Sequence, residues 1–297
     1  MDPVYLNGEF LPRSEAVIPV EDRGFLFADG LYEVTPFYRG APLRLESHLR
    51  RLGRGLGTLR IDFDLEILPA MHEELLDRCD LRDQEMSMVY LQITRGVAPR
   101  THAFPDPAVT PTVFAYAKAF QRPDPARWER GFDAVTVPDR RWTRCDLKTI
   151  QLLPNVLAQE EARQAGVTDA LMVRDGLALE GAHNNLFVVF GDVVATHPSS
   201  NQILPGITRE VVLDVARARG IPVEERAIPV SELACASELF FTGTTTEIRP
   251  TVELDGRPVG EGVVGPVTRD LMEGFRELVH RECGAELDGF VPARTPA

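Results

Sequence analysis

The alternation of apolar and polar residues predicts a mixture of helices and strands in the first 120 residues. Leucines recur at helical spacing in two stretches, and three other stretches alternate as half-buried strands do. Asn7-Gly8 lies between apolar residues and predicts the turn of a hairpin. The predicted helices are 46–59 and 65–79, and the predicted strands are the hairpin 4–11, then 31–38, 88–94 and 112–119.

Beyond residue 130 the pattern predicts many short strands separated by three helices. Each helix begins or ends at a Pro or Gly signal, as Pro154 and Gly220 illustrate. The predicted strands are 134–137, 170–173, 185–189, 193–196, 223–227 and 238–242. The predicted helices are 154–165, 207–219 and 267–281. Two segments of the first half, 22–30 and the proline-bearing 97–111, are predicted to be loops.

These patterns predict an α+β protein of two domains. Residues 1–119 form a small N-terminal domain, and 132–284 form a larger domain of short strands and helices. Residues 120–131 carry prolines and little apolar periodicity, which is typical of an interdomain linker. Residues 285–297 are rich in Gly, Pro and polar side chains and are predicted to be a loose tail.

Composition restricts the partners. A net charge of −13 argues against nucleic acid or an anionic membrane as the main partner. No run of about 18 apolar residues predicts a membrane span, and no signal segment is seen at the start, so a cytoplasmic location is expected. The four cysteines are scattered and the six histidines form no ligand pattern, so neither disulfides nor a metal site are expected.

Lys148 is the first candidate for chemistry. It lies between apolar residues, after a predicted strand and before the helix that starts near Pro154. A lysine at such a passage can enter a pocket, where burial lowers its pKa and leaves a nucleophilic amine for Schiff-base chemistry. Taken alone, the same pattern is more typical of a lysine that extends its charge into solvent.

Two further stretches suit a phosphate. Gly206-Ile207-Thr208-Arg209 starts a helix, and helix N-termini offer free N–H groups and positive partial charge to anions. Thr242-Gly243-Thr244-Thr245 offers further N–H and hydroxyl donors, with the glycine allowing close approach. Thr208 is equally compatible with a simple helix cap.

Four stretches in this order resemble the fold-type IV pyridoxal-phosphate enzymes. They are Asp146-Leu147-Lys148-Thr149, 171–187 around Glu180-Gly181, 203–209 and 241–248. That family includes D-amino acid aminotransferases, branched-chain L-aminotransferases, (R)-selective amine aminotransferases and aminodeoxychorismate lyases. The resemblance runs from about Tyr5 to about Leu278, and it implies a two-domain α+β architecture with pyridoxal 5'-phosphate between the domains.

The resemblance implies roles for individual residues. Lys148 forms the Schiff base and moves the substrate proton, and Glu180 lies beside the pyridine nitrogen, although a turn carboxylate is the alternative interpretation of Glu180. Arg141 is implied as a partner of Glu180, with a surface ion pair as the alternative. The implied phosphate ligands are Arg51, Ile207, Thr208, Gly243 and Thr244, and Arg50 leaves a one-residue ambiguity beside Arg51.

The resemblance also implies a substrate site. Arg100 and His102 form an R-x-H pair in the long loop that is similar to the α-carboxylate trap of D-amino acid aminotransferases, and Tyr32 completes it. Thr245 is placed with these substrate residues. The alternative is that Arg100 and His102 are solvated loop residues. The family is generally homodimeric, so this pair is a candidate to serve the neighbouring subunit.

One departure concerns Ala182-His183-Asn184, where D-amino acid enzymes usually carry a serine-rich run; His183 is therefore a candidate to narrow the pocket or bond the cofactor. The expected activity is transamination between a D-amino acid, such as D-alanine or D-glutamate, and a 2-oxo acid. A branched-chain L-aminotransferase, an aminodeoxychorismate lyase and a non-catalytic cofactor-binding protein stay open as alternatives.

Overall fold

The computed structural model describes residues 3–287, which form two compact units. Of the described residues, the first contains 3–121 together with Leu147–Leu152 and Cys283–Ala285, and the second contains Arg122–Asp146, Leu153–Glu282 and 286–287. The segment that carries Lys148 therefore belongs with the N-terminal unit. Met1, Asp2 and positions 288–297 of the predicted tail lie outside the described residues.

The first unit is an antiparallel sheet of six strands in the order β2-β1-β6-β5-β3-β4. Its strands are β1 (Pro3–Leu6), β2 (Glu9–Pro12), β3 (Gly30–Tyr38), β4 (Ala41–Pro42), β5 (Met86–Thr94) and β6 (Thr112–Ala119). Its helices are α1 (Arg23–Phe27), α2 (Leu45–Leu59) and α3 (Leu68–Arg78), with 3₁₀ turns at Arg13–Glu15 and Leu65–Ile67.

The long helix α2 packs on the sheet because its leucines repeat at helical spacing. Leu52 and Leu56 are buried in one cluster with Leu31 of β3. A Cβ atom added at Gly55 would lie 2.7 Å from Leu31 Cδ1, so the glycine allows the helix to approach β3 closely. The alternation along β3 places Leu31 and Glu33 on this inner face and Tyr32 on the other.

The second unit contains the remaining elements of the chain. Its strands are β7 (Phe132–Pro138), β8 (Asp169–Arg174), β9 (Leu177–Gly181), β10 (Asn185–Phe190), β11 (Val193–Thr196), β12 (Val223–Glu225), β13 (Ile228–Pro229), β14 (Glu238–Gly243), β15 (Glu247–Leu254) and β16 (Arg257–Pro258). Its helices are α4 (Pro125–Arg130), α5 (Leu153–Ala165), α6 (Ile207–Ala218) and α7 (Pro266–Cys283), with a 3₁₀ turn at Val230–Cys235.

The sheet of the second unit closes on itself. The strands pair in the order β10-β14-β15-β7-β8-β9, and a further pairing joins β9 back to β10. The residues that make this closing contact are Glu180 and Asn185. This pairing places Glu180 directly opposite Asn185.

The helices of this unit cover the sheet with small and apolar side chains. Ala158 and Ala162 of α5 are buried against Val137 and Met172 of the parallel pair β7 and β8. At the start of α7, Glu238 accepts hydrogen bonds from the backbone N–H groups of residues 267 and 268, at 3.0 and 2.7 Å, and so caps the helix.

Most predicted elements are confirmed within a few residues, including the hairpin around Asn7-Gly8 and the helices α2, α3, α5, α6 and α7. The prediction that 22–30 is only a loop was wrong, because Asp22 caps the short helix α1 through the N–H of Gly24 at 2.8 Å. The predicted linker 120–131 contains α4, which Asp124 caps. Strands β9 and β15 were not predicted. Helices of five or six residues are too short to show a period.

No helix in residues 3–287 is both long and apolar enough to cross a membrane.

His72 in α3 generates a prediction about pH and stability. Its Nδ1 lies 2.7 Å from the carbonyl oxygen of Leu68, its Nε2 has no partner among the described residues, and burial lowers its pKa from 6.5 to about 4. Between pH 6.5 and 4, His72 is therefore protonated in the unfolded chain but neutral in the folded chain. The free energy of unfolding falls as the pH falls toward 4. Between pH 7 and 5 the loss is about 2 kcal/mol.

Between pH 7 and 5, we expect the unfolding free energy of His72→Leu to fall by about 2 kcal/mol less than that of the wild type. The measurement is urea unfolding followed by circular dichroism at both pH values. Equal losses in the two proteins would show that His72 is not the titrating group.

Candidate active site

The backbone of Lys148 is fixed against β3. The N–H of Tyr32 donates to the carbonyl oxygen of Lys148 at 3.0 Å, the N–H of Ile150 donates to the carbonyl oxygen of Gly30 at 3.2 Å, and Thr149 forms a bridge with Leu31. Residues 147–152 thus lie along the start of β3 although they are far from it in sequence. This pairing determines where the side chain of Lys148 begins.

The amine of Lys148 lies over an aromatic ring. Its Nζ is 4.2 Å from the centroid of the Tyr32 ring, and the side chain is half-buried. Tyr32 stacks on Tyr90 with centroids 5.5 Å apart, and Tyr90 stacks on Tyr116 at 5.2 Å. Burial raises the pKa of Tyr90, which keeps its phenol neutral. The structure therefore brings together Lys148 and Tyr32, the residues predicted for the Schiff base and for substrate binding.

A buried ion pair lies on the opposite face of β3. Arg51 donates from Nε to Glu33 Oε1 at 2.7 Å and from Nη2 to Oε2 at 2.8 Å, and His48 Nδ1 lies 2.9 Å from Oε2. Burial acts to raise the pKa of Glu33, but the charge and hydrogen bonds of Arg51 outweigh it and hold that pKa well below its usual range. Burial lowers the pKa of His48, against the effect of Glu33. Arg50 is exposed and Arg51 is buried, so Arg51 is the inward-facing arginine; its phosphate role stays a prediction.

The predicted carboxylate trap is not assembled by contacts within one chain. Arg100 and His102 are exposed, and both lie against the ring of Phe27, at 5.2 and 5.6 Å from its centroid. Neither makes a hydrogen bond or ring contact with Tyr32 or Lys148 in the described part of the chain.

The base of this loop is nevertheless well anchored. Asp29 accepts from Arg23 Nε at 2.8 Å and from Arg95 Nε at 2.7 Å, and Arg23 also donates to the carbonyl oxygen of Thr101 at 2.7 Å. These contacts fix the chain at Arg95 and at Thr101, on the two sides of Arg100. The loop therefore presents Arg100 and His102 outward from a rigid base.

Glu180 in the second unit is buried and held by several donors. Arg141 Nη1 donates to Oε1, Asn185 Nδ2 donates to Oε2 at 2.8 Å, and the N–H of Leu204 lies 3.1 and 3.2 Å from the two oxygens. Burial raises the pKa of Glu180, and the nearby Arg141 opposes this shift. A carboxylate with a raised pKa binds a shared proton firmly, which suits a partner for a protonated ring nitrogen.

Arg141 is itself fixed by Asp139. Its Nε and Nη2 donate to the two oxygens of Asp139, each at 2.9 Å, and Arg174 donates to Asp139 at 2.9 Å as well. The guanidinium of Arg141 thus connects two carboxylates, and its position next to Glu180 is determined by both.

The N-terminus of α6 is buried and has no side-chain cap. Gly206 precedes the helix and no side chain caps it, while Ile207 and Thr208 in the first turn are buried. The first N–H groups of a helix have no acceptor within the helix, so a buried and uncapped start leaves them for another group. Ile207 and Thr208 are two of the predicted phosphate ligands.

The end of β14 and the turn after it carry two buried hydroxyl groups that have no hydrogen-bond partner among the described residues. The Oγ1 atoms of Thr242 and Thr246 make no hydrogen bond within the described residues, although both side chains are about 1% exposed. A Cβ atom added at Gly243 would lie 3.2 Å from Thr246 Oγ1 and 3.4 Å from the carbonyl oxygen of His183. Buried hydroxyls seek partners, so these residues fit a phosphate-bearing cofactor. His183 is exposed, and Thr244 and Thr245 are half-buried.

Comparison with known proteins identifies the class. Residues 30–254 match the family of amino-transferase class IV, and the chain belongs to this family. The resemblance to fold-type IV enzymes and the α+β fold class are confirmed.

Individual relatives carry a narrower name. The chain is 39% identical over 283 residues to a D-alanine aminotransferase of Staphylococcus aureus strain MSSA476, covering 94% of this chain and 98% of the relative. The D-alanine aminotransferases of Staphylococcus haemolyticus and Bacillus licheniformis are 40% and 38% identical over 281 residues, with the same coverage.

Solved structures share the fold at lower identity. A branched-chain amino acid aminotransferase of Escherichia coli superposes with a TM-score of 0.87 at 26% identity, covering 97% of this chain and 96% of the other. A second branched-chain enzyme, solved with pyridoxamine 5'-phosphate, has a TM-score of 0.85 at 26% identity, covering 96% and 95%. The branched-chain aminotransferase of Thermoproteus uzoniensis with norvaline has a TM-score of 0.81 at 26% identity, covering 96% of each chain.

The sequence did not reveal several residues that hold the site. Asn185 contacts Glu180, Asp139 contacts Arg141, and Glu33 pairs with Arg51. One signal was present, because Glu33 is a charged residue on the inner face of β3, and a buried charge requires a partner. Asn185 and Asp139 have no such signal, since either would also suit a turn.

The buried pair of the first unit generates a prediction about stability. Replacing Glu33 by Gln leaves the Arg51 guanidinium buried without its counter-charge, so Glu33→Gln should lower the unfolding free energy by roughly 3 kcal/mol at pH 7. Glu74→Gln is the control, because Glu74 pairs with Arg78 on the surface and both are nearly half exposed. Urea unfolding of both variants is the measurement, and an equal effect of the two would contradict the assignment.

Proposed function

We propose that this protein is a pyridoxal-phosphate-dependent aminotransferase that exchanges the amino group of a D-amino acid, such as D-alanine or D-glutamate, with a 2-oxo acid. The observation that carries the proposal is the buried Glu180 carboxylate, whose pKa burial raises and whose oxygens three donors fix. The D-alanine aminotransferases that are similar over nearly the whole chain support the D-amino acid class.

The residues present suit the cofactor at each of its ends. Pyridoxal 5'-phosphate supplies an electron-withdrawing ring that stabilises negative charge on the substrate α-carbon. Glu180 would keep the ring nitrogen protonated. The phosphate would be held by Arg51, by the first turn of α6 with Ile207 and Thr208, and by Gly243 and Thr244.

Lys148 carries the proton transfer. Its amine would bind the aldehyde carbon of the cofactor and, once substrate releases it, move a proton at the substrate α-carbon. The pairing of residues 148–150 with β3 orients the side chain, and the Tyr32 ring 4.2 Å from Nζ supports it from one side. The backbone contacts thus hold the base in place before substrate arrives.

The substrate carboxylate would be bound by Arg100, His102 and Tyr32, with Thr245 nearby. The planar fork of arginine suits the two oxygens of a carboxylate. If the carboxylate is held there, a D-amino acid turns its α-hydrogen toward Lys148, whereas an L-amino acid turns it away. The handedness of the reaction then depends on the trap.

The acting assembly is a homodimer in which Arg100 and His102 serve the neighbouring subunit. Arg100 and His102 lie exposed on a rigid base, without contact to the Tyr32 or Lys148 of their own chain. Large apolar side chains are exposed on the same and adjoining segments, and exposed apolar patches mark interfaces. They are Val17 (78%), Val20 (67%), Phe25 (76%), Val97 (40%) and Phe104 (48%). The cytoplasm is the proposed location.

A branched-chain L-aminotransferase is the second candidate, because the solved structures with the same fold include branched-chain enzymes. The first test therefore compares turnover of D-alanine, L-leucine and a simple (R)-amine. We expect D-alanine to be preferred. A preference for L-leucine would replace the D-amino acid proposal by the branched-chain one.

Removal of the trap arginine tests the same proposal in a second way. Arg100→Ala should lower kcat/KM for D-alanine by roughly 10–200-fold, as the loss of a hydrogen bond between charged groups predicts, and should affect the (R)-amine much less. Arg54→Ala, which removes an exposed arginine of the same unit, is the control. Unchanged D-alanine turnover in Arg100→Ala would exclude the trap.

The proposed sharing between subunits predicts complementation. Toward D-alanine, Lys148→Ala chains are expected to be nearly inactive, and Arg100→Ala chains are expected to keep only the activity that the roughly 10–200-fold loss leaves. After subunit exchange an equal mixture should recover about a quarter of the wild-type activity, because half of the dimers are mixed and each mixed dimer has one intact site. No recovery in a mixture shown to contain mixed dimers would place Arg100 in its own subunit's site.

A further inference from the structure

Asn185 connects the residues that the proposed function assigns to the two ends of the cofactor in the second unit. We propose that Asn185 is a positioning residue that fixes the Glu180 carboxylate relative to the first turn of α6. The inference rests on the proposed function, since it concerns how Glu180 is aligned with a ring nitrogen. The argument uses only contacts within the second unit.

The amide of Asn185 closes a ring of hydrogen bonds around Glu180. Its Nδ2 donates to Glu180 Oε2 and to the carbonyl oxygen of Leu204, both at 2.8 Å, and the N–H of Leu204 donates back to the Glu180 oxygens at 3.1 and 3.2 Å. Both partners of Nδ2 are acceptors, so the reversed amide would place oxygen against oxygen and is excluded. Asn185 is about 4% exposed, as is Glu180.

The other side of the amide packs on the start of α6. A Cβ atom added at Gly206 would lie 2.0 Å from Asn185 Oδ1, so a larger residue at this position would force the Asn185 amide to move. Gly206 has φ −68°, an ordinary value for any residue, so the glycine is required for space and not for conformation. Gly206 therefore leaves room for the Asn185 amide beside the start of α6.

The sheet places Asn185 where it can act on three segments at once. It is the first residue of β10 and pairs with Glu180 on β9 and with Thr242 on β14. Thr242 leads directly into Gly243 and Thr244, two of the proposed phosphate ligands. The side chain of Asn185 thus contacts Glu180 and the start of α6. Its backbone pairs with Thr242 of β14, just before the turn that follows this strand.

The chemical consequence concerns the orientation of Glu180. Arg141 holds Oε1 and Asn185 holds Oε2, so the plane of the carboxylate is set by two different donors. Without Nδ2 the carboxylate loses one of these restraints, and its alignment with a ring nitrogen weakens. The loss should appear as reduced recognition of the ring nitrogen and not as a general loss of cofactor binding.

The experiment compares two cofactors on the full-length apoprotein. One is pyridoxal 5'-phosphate, and the other is its analogue with carbon in place of the ring nitrogen; both keep the aldehyde and phosphate, so those contributions cancel in the ratio of their Kd values. Wild type should prefer the nitrogen compound. Asn185→Ala and Asn185→Leu, whose side chain is similar in size to that of asparagine but cannot donate a hydrogen bond, should each reduce this preference roughly 10-fold, as expected for a hydrogen bond to a charged group.

Asn201→Ala is the matched control. Asn201 is an exposed asparagine of the same unit, and its Nδ2 likewise donates to a backbone carbonyl oxygen, that of Thr143, at 2.8 Å. Its variant should keep the wild-type ratio. Melting curves and circular dichroism establish that each variant is folded.

The outcomes separate the possibilities. A reduced ratio in folded Asn185 variants supports the proposal. A wild-type ratio with both cofactors weakened equally, or no change at all, overturns it, and failure of both Asn185 variants to fold assigns the residue to the fold and also overturns it. A wild type without preference for the nitrogen compound would show that the role of Glu180 in the proposed function is itself wrong.

Discussion

The second unit depends on a carboxylate kept inside the protein. An ionised group loses the solvation of water when it is buried, and only hydrogen bonds and opposite charge offset that cost. Glu180 receives both, from Arg141, Asn185 and the N–H of Leu204. The same pair of residues, Glu180 and Asn185, closes the sheet on itself. The residue pair that closes the sheet is therefore also part of the group that stabilises the buried Glu180 carboxylate.

The first unit also contains a buried carboxylate, which other residues stabilise. Successive side chains of β3 point to opposite faces, so Tyr32 faces Lys148 while Glu33 enters the interior. There Glu33 binds Arg51 through two hydrogen bonds and contacts His48. A single strand thus determines both the environment of the lysine and the position of the buried arginine. A shift of register by one residue would exchange these two faces.

The chain pattern predicted most of the secondary structure because long elements repeat a signal. Helix α2 shows several turns of leucines, and β5 and β6 alternate over eight or nine residues. Helices α1 and α4 span five and six residues, so the available cues were the caps Asp22 and Asp124 and, for α4, Pro125 in the first turn. Strand β9 was missed because Gly176 and Gly181 at its margins resemble turn signals, whereas its pairing with β8 and β10 stabilises it.

The sequence by itself determined the chemistry that is available: a lysine before a helix, a glutamate before a glycine, a helix start after Gly206 and a threonine-rich turn, all in the order of one enzyme family. These are local patterns, which can be recognised in the sequence without the structure. Only the tertiary structure decided which residues hold these groups, since Asn185 lies 19 residues from Leu204 in the chain, and Arg141 lies 39 residues from Glu180. Such partners are selected by strand register and sheet closure, which no local pattern encodes.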